Sequence, residues 1–335
     1  MAKKAYIGVN GTARKVKKPY IGIDGTARKI TRAYVGVNGK AQRCFDLRTM
    51  NVSSVSVSPA MQGIYDGAYG NGIYIFVDVL GYWWRSTDGK NWNRYSYASL
   101  RYQLKSICFG NGVFCCICND ESGNYYALRS TDGLSWSRTR IFSSGNGYLS
   151  FVSFGNGRFV AGGFNSNNKA VIYTSTDGSN FTLVYTSATI SRVDSAAYLP
   201  EVGFSAGKLF SADGATWIDV SDGPTSMYPG GLCAGGGKFV RLDYMLYTSK
   251  NGINWDTSLP KIIVNSMKYK NGIYVGSGGA SKIYFSYDGL HYETVDLSGI
   301  IGSDKDVTAI ICDGTKFYVA GQDVSSIAVI EFTEA

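Results

Sequence analysis

The chain has 335 residues, 44% of them hydrophobic and 17% charged, with 42 glycines, 25 tyrosines and 6 prolines. That balance excludes a disordered or collagen-like chain and supplies enough apolar surface for a sizeable core. No run approaches the ~20 apolar residues of a membrane span, and residues 1–9 lack the apolar stretch of a signal peptide, so synthesis in a cytoplasm without membrane insertion is expected.

The first 45 residues hold seven lysines, four arginines and one aspartate, a net charge of +10 against +8 for the whole chain. The basic character therefore belongs to this segment and gives no argument that the rest binds nucleic acid. Three stretches beginning at Ala5, Pro19 and Ala33 repeat at a period of 14, with Asn10-Gly11, Asp24-Gly25 and Asn38-Gly39 between extended runs. Asn-Gly and Asp-Gly supply the two positive φ angles of a type I′ turn, which predicts three β-hairpins. Across the first turn, Val9 should face Thr12 and Ile7 should face Arg14. An isolated hairpin is marginal in water. Residues 1–47 are therefore read as an assembly arm, presenting Tyr6, Tyr20 and Tyr34 to other subunits, to copies of itself or to the rest of the chain. An anionic partner held through Lys15, Lys17, Lys18, Arg28, Lys29 and Arg32, or a solvated basic linker, stands beside that reading. No specific nucleic acid is expected, and phosphate binding would carry a steep salt dependence.

From residue 48 two short words alternate. Ser-x-Asp-Gly-x-x-Trp or a close variant occupies 86–92, 130–136, 175–181, 211–217, 249–255 and 286–292. Its spacing of roughly 35 to 45 residues is that of a propeller blade. A Gly-rich turn, such as Gly70-Asn71-Gly72 or Gly110-Asn111-Gly112, precedes each with strand-like runs between, and it occurs seven times, once in the degenerate form Pro200-Glu201. With the strands of a blade named A to D, the Gly-rich turn joins A to B and the Asp-Gly turn joins C to D. The last unit ends after its third strand. Residues 52–57 can supply the fourth and remove the open edges. The fold predicted is all-β: a seven-bladed β-propeller over 48–335, closed by residues 52–57 against the C-terminal blade, with six blades as the alternative.

Asp88, Asp132, Asp177, Asp213, Asn251 and Asp288 recur at blade spacing and cannot converge, so they are assigned a structural role in the turns. Seven cysteines and one histidine, His291, give no metal-ligand set: Cys115 and Cys118 lie within one strand run and lack a second pair. No metal and no cofactor are expected. A lone His inside an Asp-Gly turn allows no Ser-His-Asp arrangement, and the Gly clusters are β-turns rather than phosphate-cradling loops. The chain is read as non-enzymatic.

Both repeated turns lie on one face of a propeller by strand alternation, leaving the B–C and D–A connections on the other. Loops on a rigid scaffold are where binding usually resides. Asn119, Asp120, Glu121, Asn124, Tyr125 and Tyr126 in one loop, Asn165, Asn167 and Asn168 in the next, and Arg101 with Tyr102 are the receptor-binding candidates. Trp83, from the run Tyr82-Trp83-Trp84, is added to them, although that cluster also reads as inter-blade core. The Asn, Ser, Gly and Tyr of these loops suit adaptable hydrogen bonding and stacking on sugars.

The tandem units of residues 5–45 resemble N-terminal repeats of phage and prophage tail proteins from Gram-positive hosts. The Asp-Gly word, across 58–335, resembles the Asp box of sialidases and of many non-catalytic propellers. It is one residue shorter than Ser-x-Asp-x-Gly-x-x-Trp, and the Arg-x-Pro word of sialidases is missing. The resemblance implies a virion or phage-derived particle and a tail adhesin. Residues 1–47 would anchor it to other tail subunits, and the propeller loops would bind a host surface receptor, a glycan before a protein. The alternatives are a structural tail protein and a glycan-cleaving enzyme.

Overall fold

The computed structural model describes residues 48–97, 102–224, 231–258 and 262–334, together with the backbone of six strands before residue 48. Those six strands form three antiparallel hairpins: Tyr6–Val9 with Thr12–Lys15, Tyr20–Ile23 with Thr26–Lys29, and Arg32–Val37 with Lys40–Asp46. In the first, Val9 faces Thr12 and Ile7 faces Arg14. The second repeats that register. Tyr6, Tyr20 and Tyr34 lie on these strands. The chain divides into two units, residues 1–52 with 330–335, and residues 53–329.

From Arg48 onward the strands form a seven-bladed β-propeller. Its seven four-stranded antiparallel sheets follow one another along the chain. Blade 1 comprises Ile64–Gly70, Ile73–Asp78, Tyr82–Ser86 and Asn93–Ser96; blade 2, Gln103–Gly110, Val113–Asn119, Tyr125–Ser130 and Ser137–Phe142. Blades 3 to 6 repeat the pattern from strand A segments Gly147–Gly155, Ala197–Leu199, Gly231–Gly235 and Ser266–Lys270. Blade 7 takes three strands from the C-terminal end, Val307–Cys312, Lys316–Gly321 and Val324–Glu334, and its outer strand from Arg48–Met61. Consecutive A strands neighbour one another all the way round, including blade 7 with blade 1. The seam is also stitched by side chains: Thr308 Oγ1 donates to the Ile64 carbonyl at 2.5 Å, and Tyr74 OH to Asp313 Oδ2 at 2.8 Å.

Local chemistry sets the turns. Asn71, Asn111, Asn156 and Asn271 have φ between 46° and 50°, and the glycines after them between 70° and 77°. This is the pair of left-handed residues that a tight hairpin with right-twisted strands requires. Each Asp-Gly turn is built alike. In the first, Asp88 Oδ1 accepts the backbone N–H groups of Lys90 and Asn91 at 2.8 Å and the Ser86 hydroxyl at 2.9 Å, while Ser86 Oγ accepts Gly89 N at 2.9 Å. Asp132, Asp177, Asp213 and Asp288 repeat this geometry, and Asn251 Oδ1 does so as an amide, accepting Ile253 N at 3.0 Å and Asn254 N at 2.9 Å.

These turns also join blades. The Arg85 guanidinium donates to Asp132 O at 2.8 Å, and that of Arg129 to Asp177 O at 3.0 Å; Asn111 Nδ2 donates to Gly157 O and Thr176 O at 3.1 and 3.0 Å. The face carrying the A–B and C–D turns is thus a ladder of inter-blade hydrogen bonds. Between the blades lie apolar layers built from both faces of the inner strands; all six residues of Ile73–Asp78 are buried. Cys115, Cys116 and Cys118 are buried in strand B of blade 2, and burial raises their thiol pKa values well above ordinary.

The turn carboxylates make the fold acid-sensitive. Backbone N–H groups of Asn91 and Lys90 hold Asp88 well below the ordinary value. For Asp288, burial pushes up, but hydrogen bonds from His291 and Leu290 outweigh it and bring the group to about 2. A depressed folded-state pKa contributes stability above the unfolded value of 3.8 that is lost as pH falls through the folded value. Stability should therefore hold down to about pH 4 and fall between pH ~4 and ~2, read by tryptophan fluorescence. Asp288→Asn should flatten that loss, because Asn251 shows that an amide keeps the turn. An unfolding free energy independent of pH across that window would contradict this account.

Candidate binding face and channel mouth

The B–C loop of blade 2 is turned by Asp120. Its carboxylate accepts Asn124 N and Nδ2, both at 2.9 Å, and the Tyr126 hydroxyl at 3.0 Å. Burial alone would lift this carboxyl, but the bonds from Asn124 and Tyr126 hold it below its usual value. Asn119 Nδ2 donates to Asp120 O at 3.1 Å, and Asn124 Oδ1 accepts Ser144 N from the next connection at 3.0 Å. In blade 3, Asn165 Oδ1 accepts Asn167 N and Lys169 N at 3.0 Å. Asn119, Asp120, Asn124 and Asn165 therefore shape their loops, and Glu121, Asn167 and Asn168 are the exposed tips. Arg101 lies outside the described residues.

Three expected contact residues are corrected by burial. Trp83, 4% exposed, stacks on Tyr95 at 6.0 Å and donates from Nε1 to Gly133 O of blade 2 at 2.9 Å. Tyr102 is 1% exposed, with its hydroxyl accepting from the Arg138 guanidinium. Tyr125, 3% exposed, packs between Phe142 and Tyr148. All three are inter-blade core. A strand between two blades buries both faces, so exposure cannot alternate there. Tyr126 is half-buried beneath Arg138, whose guanidinium stands 4.9 Å over its ring.

The residues that do meet at the centre were missed. Strand A of blades 1, 2, 3 and 7 carries a bulge at the same level, between Ile64 and Asp66, Leu104 and Ser106, Leu149 and Phe151, and Val307 and Ala309. A bulge breaks the two-residue alternation and re-aims one side chain. Here it turns Tyr65, Lys105 and Ser150 into an axial cavity of about 460 Å3, which Tyr148, Asp194 and Lys268 also line. Tyr65, Lys105, Tyr148 and Ser150 lie near the starts of their A strands and Asp194 precedes one, whereas Lys268 stands midway along its strand. The cavity therefore runs from the end of the ring that carries the B–C and D–A connections part-way along the A strands.

The cavity has a mixed but ordered charge pattern. Asp66 accepts Ser106 Oγ at 2.8 Å, Ile107 N at 3.1 Å and Gly67 N at 2.8 Å, with Lys268 Nζ 3.9 Å away. Asp194 pairs with Arg192 at 3.2 Å. Behind them the buried Arg241 guanidinium reaches Ser195 Oγ at 3.2 Å and Asp243 at 3.3 Å, tying blade 5 to blade 4. Lys105, 9% exposed, gives one hydrogen bond, to Gln103 Oε1 at 2.8 Å, and its ammonium lies 5.8 Å from the Tyr65 ring and 5.3 Å from that of Tyr148. Burial lowers its pKa. The arrangement can hold a small polar ligand by hydrogen bonds, one cation and aromatic faces. Among the described residues no cluster of His, Cys, Asp and Glu could hold a metal ion, and no helix is long and apolar enough to cross a membrane.

No protein-family model and no curated protein sequence matches the chain. Solved structures do. YCF48 bound to D1 peptide is 17% identical at a TM-score of 0.59, covering 83% of this chain and 96% of that one. A catalytically inactive variant of virginiamycin B lyase from Staphylococcus aureus, with quinupristin, is 11% identical at a TM-score of 0.68, over 85% and 100%. The WD40 propeller domain of Doa1 is 14% identical at 0.57, over 85% and 97%. The chain is similar to β-propellers. At these identities the likeness carries the fold alone.

Proposed function

We propose that the protein is a non-enzymatic tail adhesin, with residues 1–47 joining other tail subunits of a virion or phage-derived particle. In this reading the propeller binds a host-surface glycan on the face that carries the B–C and D–A connections. The observation that carries it is the asymmetry of the two faces. One carries the regular ladder of turn-to-turn bonds between blades; the other, alongside inter-blade bonds such as Ser187 Oγ to Asp219, holds exposed Asn167 and Asn168 and a lined cavity. The cavity acid Asp66 is taken up by three donors, which supports binding over proton transfer. The particle assignment rests on the resemblance of the tandem hairpin units. Weak sites on many copies would multiply into firm adhesion. A protein receptor on the same face is the alternative, since one fold neighbour is bound to a peptide.

The test is a glycan array with the full chain beside a chain beginning at Arg48. The adhesin reading expects both to bind the same saccharide. Binding of the shorter chain to particle components alone would make the propeller a structural part. Sugar released from host wall polysaccharide would make the protein an enzyme.

A further inference from the structure

Among the described residues, one cation of the axial cavity has no carboxylate partner. Lys268 has Asp66 at 3.9 Å, and Arg192 has Asp194 at 3.2 Å. Among the described residues no carboxylate pairs with Lys105; its hydrogen-bond acceptor, Gln103 Oε1, is neutral. An ammonium has three donors, so two remain for the cavity. Burying a charged group is unfavourable unless it is paired, and a buried lysine without an anion is a place prepared for one. The two rings that flank the ammonium stand differently: Tyr65 is 47% exposed, whereas Tyr148 is stacked on Phe164 at 5.5 Å and held from behind by Tyr125.

We propose that Lys105 is the anion-binding centre of the cavity, and that the ligand is a saccharide bearing a single negative charge, seated beside the Tyr65 ring. This rests on the glycan reading above and deepens it. The charged groups that line the cavity, Lys105, Lys268 and Arg192 against Asp66 and Asp194, leave one positive charge over, which fits a singly charged group. A phosphate monoester, nearer two charges at neutral pH, would bring one charge that no cation there matches. The cavity volume of about 460 Å3 falls within the range of small-ligand sites, ~300–1,000 Å3. An aromatic face beside an ion-pairing donor holds a sugar ring and its charge together. Burial pushes the Lys105 ammonium toward its neutral form, and a bound anion would reverse that push.

The experiment is calorimetric titration of the full chain with three probes: a disaccharide with one uronic acid residue, a disaccharide joined by one phosphodiester, and the neutral disaccharide in which the uronic acid is replaced by its parent sugar. Binding of either singly charged probe, weakened about tenfold or more by Lys105→Met, is the expected result, and the two probes tell which anion is recognised. Lys105→Arg should retain most of that affinity. Lys105→Met should melt no lower than the parent, because it removes a buried charge that no protein carboxylate partners. Equal affinity for the neutral probe, or anion binding indifferent to Lys105→Met, overturns the inference while leaving the glycan reading in place. A lower melting temperature for Lys105→Met gives Lys105 a structural role and also overturns it. Failure of all three probes, with no saccharide bound on the array, removes both.

Discussion

Trp83→Ala is expected to destabilise the protein by about 3–5 kcal/mol, the cost of deleting a large aromatic from a packed core. The indole fills the layer between blades 1 and 2, stacked on Tyr95 and edge-on to Trp136 at 5.7 Å. Its Nε1–H also satisfies the carbonyl of Gly133, so the truncation leaves a buried acceptor unpaired, which adds to the cavity term. Gly133 belongs to the Asp-Gly turn of blade 2, and the loss should spread to that turn. Trp83→Phe should recover part of the packing and none of the hydrogen bond. Tyr125→Ala should behave similarly, with an additional consequence: it removes the support behind Tyr148 at the cavity wall. Thermal unfolding read by near-UV circular dichroism measures all three. Any loss of ligand binding by Trp83→Ala should then follow its unfolded fraction. An unchanged melting temperature, with ligand binding lost, would return Trp83 to the binding surface.

Much of the fold was legible because its determinants are local. Asn-Gly at 10–11 and Asp-Gly at 24–25 each allow a two-residue turn, and the register around each agrees residue for residue with that expectation. The Asp-Gly word marks six C–D turns because its spacing lets one side-chain oxygen accept three hydrogen bonds. Blade number followed from counting seven turns of one kind against six of the other. The closing strand expected at 52–57 runs longer, Arg48–Met61, since alternation does not mark where an outer strand begins.

The site was less legible. Strands B and C are buried on both faces, so period-two patterning, which separates core from surface in an open sheet, is silent at Trp83 and Tyr125. The bulges were invisible for a related reason: one inserted residue shifts the face of every residue before it, and nothing in Leu104-Lys105-Ser106 states that Lys105 is the extra one. The spacing does carry a signal. Tyr65, Lys105 and Ser150 each stand five places before the glycine that ends strand A, at Gly70, Gly110 and Gly155. Polar loop composition, by contrast, pointed at side chains such as Asp120 and Asn165 that are consumed in holding their own turns.

The claim on which the functional account depends is that one face recognises and the other only binds blade to blade. Selective occlusion tests it. Asn167→Cys places a thiol at an exposed B–C loop tip, and Lys90→Cys places one on an exposed Asp-Gly turn. Each is coupled to a bulky maleimide polymer and compared with the treated parent for binding to the saccharide found on the array. The account predicts that the label at 167 abolishes binding and the label at 90 leaves it intact. Blockage from position 90 with binding preserved at position 167 would contradict it.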